Sequence, residues 1–346
     1  MAPSLLQILS AVWNDVLHLR PRYLSEYVNT SDGTGESFQD SDGEIIGFEF
    51  LLFVQFEFIQ MACKRKLTQS AFVGADGKSG ILHELVWIIL NYMQMTDDQA
   101  DTWITDPNQF IADEEDDSYS FNVRIAAEDL LLTLMDNYEA ATMNSLDLSV
   151  KQEAASSLNE KAAGNTNWWK AQESSLLAVG LFSGELSEVI KNGASPVDVG
   201  ALFDHVVLGN LSEHDFPFLQ GRSFVFASQF ASILPANLAA QYVSAAVEAV
   251  LKSPSAVVKV SALKALNNFN QYLDKQHIIP YQRSILQGVA PMMEVTTEES
   301  FSLILRTLIT TAKVTSFSIF HYAFECCYGH HFYESELSTF LWYICT

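Results

Sequence analysis

Positive charge is scarce in this sequence: 19 Lys and Arg stand against 42 Asp and Glu, for a formal net charge of −23. That deficit excludes direct nucleic-acid binding, because phosphate contacts need clustered Lys and Arg and like charge repels the backbone. It equally excludes docking on an anionic membrane leaflet. Cysteine is scarce as well. Of the four cysteines, three fall in the last 21 residues, so no disulfide framework can staple a chain this long, and a reduced, intracellular setting is expected. No long uninterrupted apolar run occurs. The most apolar stretch, Ile45 to Cys63, carries Glu49 and Glu57, which a membrane span would tolerate only at high cost. Met1 to Val12 lacks a basic region followed by a long apolar segment, so no signal peptide is expected. No segment shows period-2 alternation bounded by hairpin turns, which excludes a β fold. What the chain does have is hydrophobic residues, 49% of its 346 positions. That is too many for a disordered polymer and enough for a large core, in two compact domains or one elongated array.

The acids are unevenly placed. Residues 1–150 hold 25 acids and 7 bases (−18), whereas residues 151–346 hold 17 and 12 (−5). Eight acids and no base lie between Tyr23 and Cys63. Between Ser79 and Val123 the acids are Glu84, Asp97, Asp98, Asp101, Asp106 and the unbroken run Asp113, Glu114, Glu115, Asp116, Asp117, again without a base. Five consecutive carboxylates cannot all face a core, so the run is expected to be exposed. Two readings compete: solvated acidic loops, or a surface whose self-repulsion a basic partner relieves.

Helical periodicity dominates the chain. In residues 121–143, Val123, Ala126, Ala127, Leu130, Leu131 and Leu134 recur at i, i+3, i+4 spacing, the pattern of one buried helix face. Similar stretches follow to residue 313, several opening on Pro, which suits the first helical turn. The strings Val123-Arg124-Ile125-Ala126-Ala127 and Val258-Lys259-Val260-Ser261-Ala262 share one form and start 135 residues apart, three units of 45. Lys170 and Arg222 occupy comparable early-helix positions, giving spacings of 46, 52 and 37 residues between the four bases. HEAT and armadillo helical-hairpin repeats have periods of ~40–47 residues. The expectation is an all-α, right-handed α-solenoid of about six helix pairs, each burying its apolar face on its neighbours. The pairs are 4–28 with 44–66, 81–95 with 120–143, 147–162 with 166–186, 196–208 with 216–232, 235–252 with 255–273, and 277–293 with 297–313. They form one array over residues 1–313. Inside the second pair lies an unusually long connection, and Trp103 and Phe110 predict that part of it packs.

Signatures of catalysis fail on inspection. Gly77-Lys78-Ser79 matches the end of a phosphate-binding loop, but Phe72 stands where the first Gly is required. His83-Glu84 has Trp at position 87 instead of the second zinc ligand. Asp40-Ser41-Asp42-Gly43 lacks the later Gly and Glu of a calcium loop. Residues 314–346 differ in kind, with 10 aromatics in 33 positions, and read as a tail outside the repeat pattern. Its His321, Cys326, Cys327, His330 and His331 form adjacent pairs, a poor match to the two-to-four-residue gaps of structural zinc sites. No enzyme activity, metal or cofactor is expected.

Asp40-Ser41-Asp42-Gly43-Glu44-Ile45-Ile46-Gly47-Phe48-Glu49, with Phe56-Glu57-Phe58 after it, resembles the middle HEAT repeats of the importin-β (karyopherin) superfamily. So do Trp103-Ile104-Thr105-Asp106-Pro107-Asn108-Gln109-Phe110 with the acidic run behind it, and Asn167-Trp168-Trp169-Lys170 in the next unit. The resemblance covers about residues 4–310. It implies a nucleocytoplasmic transport receptor, shared between cytoplasm and nucleus, that binds nucleoporins and carries basic protein cargo such as core histones under control of the GTPase Ran. Asp113, Glu114, Glu115, Asp116 and Asp117 are then the candidate cargo- or Ran-binding residues. In the family the main Ran surface lies in earlier repeats than these, so Ran binding is expected to be weak or absent here. The alternative is a HEAT-repeat scaffold without transport activity.

Overall fold

The computed structural model describes residues 2–30, 38–39, 41, 45–74, 80–114, 122–289, 292 and 298–314. Its helices in the first half are α1 (Ala2–Tyr23), α2 (Phe48–Cys63), α3 (Gln69–Val73), α4 (Leu82–Tyr92), α5 (Asp97–Thr105), α6 (Pro107–Asp113), α7 (Val123–Ala162) and α8 (Trp168–Gly180). There follow α9 (Ser183–Lys191), α10 (Val199–Leu202), α11 (Leu208–Asn210), α12 (Pro217–Gln229), α13 (Ala236–Lys252) and α14 (Ala256–Tyr272). The last three are α15 (Lys275–Ile278), α16 (Gln282–Val289) and α17 (Glu298–Lys313). The expected all-α class is observed. Among the described residues the only strand pairing is a two-residue antiparallel one in the connection between α1 and α2, Phe38 opposite Ile46 and Gln39 opposite Ile45.

Two compact units emerge. The first comprises Met1–Asp101 with Tyr119–Leu202, and the second Thr102–Ser118 with Phe203–Thr346. In the first unit α7 is the central element, packing on α2, α4 and α8. Leu85, Val86, Ile88 and Ile89 of α4 are wholly inaccessible, as are Ala127, Leu130, Leu131 and Leu134 of α7 and Leu52, Phe56 and Ile59 of α2. Burying each large side chain contributes about 1.5–3 kcal/mol. α1 continues into a wider π turn, Leu24–Val28, closed by the Asn29 N–H on the Leu24 carbonyl at 3.0 Å.

Residues 120–143 and 147–162 were expected as separate helices; α7 is indeed two helical segments, but they meet across a kink within the first range and not between residues 143 and 147. Its residues include neither Pro nor Gly, and its buried stripe continues through Leu146, Ser149, Val150, Glu153 and Ser157. The bend falls instead at Tyr138, where the backbone leaves helical geometry (φ −140°, ψ 42°). Tyr138 stacks on Phe72 at 5.5 Å and donates its hydroxyl to the Cys63 carbonyl at 2.7 Å. These contacts tie the bend to α2 and α3, and the Thr142 hydroxyl donates to the Leu134 carbonyl across it at 3.1 Å.

In the second unit α14 is central, packed by α12, α13 and α17, with α6 laid on α14 and α17. The α12–α14 approach requires Gly221: a Cβ there would sit 2.5 Å from the Ser261 hydroxyl oxygen. Ala227 and Ala262 are fully buried. Phe203, Phe226, Phe230 and Tyr242 form a second aromatic core, with Phe226–Phe230 ring centres 4.9 Å apart.

Candidate functional site

The long connection between α4 and α7 folds by strong local signals. Thr96 and Gln99 form a reciprocal capping box at the start of α5, each side chain bonding the other's backbone N–H at 3.1 Å. Immediately after α5, the Asp106 carboxylate caps α6 by accepting from the N–H groups of Asn108 (3.0 Å) and Gln109 (3.3 Å), with Pro107 at the first helical position. Trp103 and Phe110 pack as expected: their rings lie 5.4 Å apart, and each is 5.9 Å from Phe218 of α12.

This packing delivers the acidic run to a defined place on the second unit. Asp113 accepts from the Trp103 indole N–H and the Gln109 amide, both at 2.8 Å. Glu114 receives one guanidinium nitrogen of Arg222 on both carboxylate oxygens, at 2.6 and 2.8 Å. The Glu114 carbonyl accepts from the Lys264 ammonium at 2.8 Å. The side chains of Arg222 and Glu114 are only 7% and 12% exposed. The expectation that the run is exposed is therefore corrected for its first two residues. Asp113 is half-buried and Glu114 largely covered, because neutral and cationic donors compensate their charges. Glu115, Asp116 and Asp117 lie outside the described residues.

Buried cations recur along the chain. Arg124 forms two hydrogen bonds to Glu173, at 2.8 and 2.9 Å, and another to the Met93 carbonyl at 2.8 Å, with both side chains inaccessible. Lys170 bonds Asp97 and the Val28 carbonyl, tying α8 to α5 and to the end of the first helix. Burial, the larger effect, lowers the Lys170 pKa, while the Asp97 carboxylate opposes that shift. Arg124, Lys170 and Arg222 thus share one structural use. Lys259 does not: it stays half-exposed on the wall of an apolar cavity of about 270 Å³ with Pro107, Ile111 and Leu263, and Lys264, five residues on, makes the contact to Glu114. Asp97 and Glu173 were missed as partners, since their pairing runs between sequence-distant helices. The Thr96–Gln99 capping box was the available sign that Asp97 opens a helix.

On the first unit, acids from two stretches meet. Glu49 is exposed, yet its carboxyl is pushed above the usual range, first by the atoms crowding its head group and second by repulsion from exposed Asp98. Among the described residues, no group of three His, Cys, Asp or Glu is arranged to hold a metal ion, and no helix is long and apolar enough to cross a membrane. The His and Cys pairs of the tail lie outside those residues.

The family described as importin-9 central HEAT repeats matches residues 76–315, more than half of the chain. The chain belongs to that family. Importin-9 of Drosophila melanogaster is 27% identical over 274 residues, 78% of this chain and 26% of the relative, so the chain spans about a quarter of that protein's length. A solved structure of Lph2, a bidirectional nuclear transport receptor of S. cerevisiae, superposes with a TM-score of 0.68 at 14% identity, covering 92% of this chain and 32% of that one. The fold is therefore an importin-type α-solenoid of HEAT repeats. In this importin-9-like array the matched region includes α5, α6, the acidic run and the buried cations of α7, α8 and α12.

Proposed function

We propose that this chain is the cargo-holding part of an importin-type nuclear transport receptor, and that it binds basic proteins such as core histones for import into the nucleus. The observation that carries the reading is the acid excess, −18 in residues 1–150, of which residues 76–150 lie within the match to the importin-9 HEAT repeats. Electrostatic attraction of a basic partner relieves the repulsion among these acids and speeds encounter. Binding needs no catalytic step, metal or cofactor. Nucleoporins are the expected partners in shuttling between cytoplasm and nucleus, and Ran control, if exerted on this region, is weak.

Of the five acids, Glu115, Asp116 and Asp117 are assigned to cargo, because Asp113 and Glu114 are engaged within the fold. The test is Glu115→Gln/Asp116→Asn/Asp117→Asn in the full chain. Core-histone affinity is expected to fall and to depend less on salt, with helicity by circular dichroism unchanged. Unaltered affinity and salt slope would place the cargo surface elsewhere. A chain that binds neither histones nor nucleoporins would instead be a scaffold without transport activity.

A further inference from the structure

We infer that the second unit holds a binding site for a small apolar carboxylate, a molecule with an alkyl or ring body of roughly ten carbons and one acidic head group. The site is the cavity of about 270 Å³ lined by α6, α14 and α17. It goes beyond the cargo reading and does not depend on it. Ile111 of α6, Val260 and Leu263 of α14, and Leu303 and Ile304 of α17 supply the walls, each at most 5% exposed. An apolar cavity of ~150 Å³ stays dry and admits benzene, so this one has room for a body roughly twice that size.

The charge on the wall is of one sign. Among the described residues that line the cavity, Lys259 alone is charged. Arg124, Lys170 and Arg222, at comparable early-helix positions, are each bound to a carboxylate within the fold. The Lys259 side chain forms no hydrogen bond or ion pair with the described residues and is half-exposed. The repeat pattern thus presents a cation at a place where the fold supplies no acid for it. Ala256, the first residue of α14, lies on the same wall, so the positive end of that 17-residue helix adds to the preference for an anion. An apolar body gains about three- to fourfold in affinity for each methylene it removes from water. The charge of the whole molecule works against an anionic ligand. A chain at −23 attracts cationic amphiphiles and repels anionic ones, so a preference for the anion can arise only from a local site. Occupancy also has a consequence for α6. That helix has seven residues, and a molecule seated against Ile111 stabilises it on α14 and α17.

Decanoate is titrated into the full chain below its micellar concentration, beside octanoate, decanol and decylamine, with binding followed by calorimetry. Decanoate is expected to saturate one site and to bind about tenfold tighter than octanoate, which is two methylenes shorter. It binds about two- to fivefold tighter than decanol, the gain of one partly exposed ion pair, and tighter than decylamine. Lys259→Met abolishes the preference for decanoate over decanol and leaves decanol binding unchanged. Ala256→Phe, at an exposed position, narrows the cavity without entering the core and weakens decanoate and decanol alike. Amide exchange in residues 110–114 slows when decanoate is added. Uptake that does not saturate, tighter binding of decylamine, or an Ala256→Phe chain that binds decanoate like the parent overturns the site. A preference for decanoate over decanol that survives Lys259→Met overturns it as a carboxylate site. Should Ala256→Phe lose helicity by circular dichroism, Lys259→Met, at a half-exposed position, decides alone. Histones enter none of these measurements, so the cargo reading and this site stand or fall separately.

Discussion

Glu153 shows how a single residue of α7 carries a cost that its local sequence conceals. It accepts from the Trp87 indole N–H at 2.5 Å and the Asn91 amide at 3.1 Å, with 7% exposure. Arg20 stacks on Trp87 at 4.3 Å and donates to Asn91 at 2.8 Å, so its charge is near but not in contact. Burial raises the Glu153 pKa above its ordinary 4.5, and the two hydrogen bonds and Arg20 only partly oppose it. Between 4.5 and that elevated value the folded state keeps a proton that the unfolded state has lost. Stability therefore falls as pH rises through this window, with a slope of at most about 1.4 kcal/mol per pH unit from this group. Glu153→Gln retains an acceptor and cannot ionise. Urea titrations are expected to show its stability relative to the parent increasing as pH is raised through the window. A difference independent of pH would mean that Glu153 carries no such cost. Nothing in the sequence around Glu153 signals this, because Trp87 and Asn91 reach it only through the packing of α4 on α7.

Short elements depend on their caps and on what they pack against. α6 has seven residues, too few to persist alone. Asp106→Ala removes the acceptor for two backbone N–H groups, at a cost of about 1 kcal/mol. Exchange of the Phe110–Glu114 amides should then accelerate by up to about fivefold. Unchanged exchange would assign the stability of α6 to its packing on α14 and α17 alone. Trp103 and Phe110 marked the connection as packed, whereas Asp106-Pro107, which reads as a break, is the start of α6. The place of the kink in α7 was not legible either. Asn144 and Ser145 are a polar pair that looks like a break, and only the backbone at Tyr138, in contact with Phe72 and Cys63, shows that the bend lies earlier.

Over the whole molecule the net charge of −23 sets the response to salt. Self-repulsion among unpaired acids destabilises the compact state, and added salt screens it over a distance of about 8–10 Å near physiological ionic strength. The urea midpoint is expected to rise between low and physiological salt, the opposite of what surface ion pairs alone would give. A midpoint that falls would indicate that paired charges, such as Arg22 with Glu26 or Lys151 with Asp147, outweigh repulsion.

The all-α class, the repeat spacing and the acid excess follow from the sequence alone, because helical period, Pro and cap positions, and charge are properties of neighbouring residues. The repeat pattern even located Arg124, Lys170 and Arg222. Their partners are another matter. Glu173 lies 49 residues from Arg124, and Glu114 lies 108 from Arg222. Which carboxylate neutralises which cation depends on helices brought together by burial of apolar faces that carry no record of the pairing. For the same reason the exposure expected of Asp113 and Glu114 gave way once Trp103, Arg222 and Lys264 supplied donors. A run of five identical charges looks uniform along the chain, and only tertiary packing shows that Asp113 and Glu114 are held by the fold.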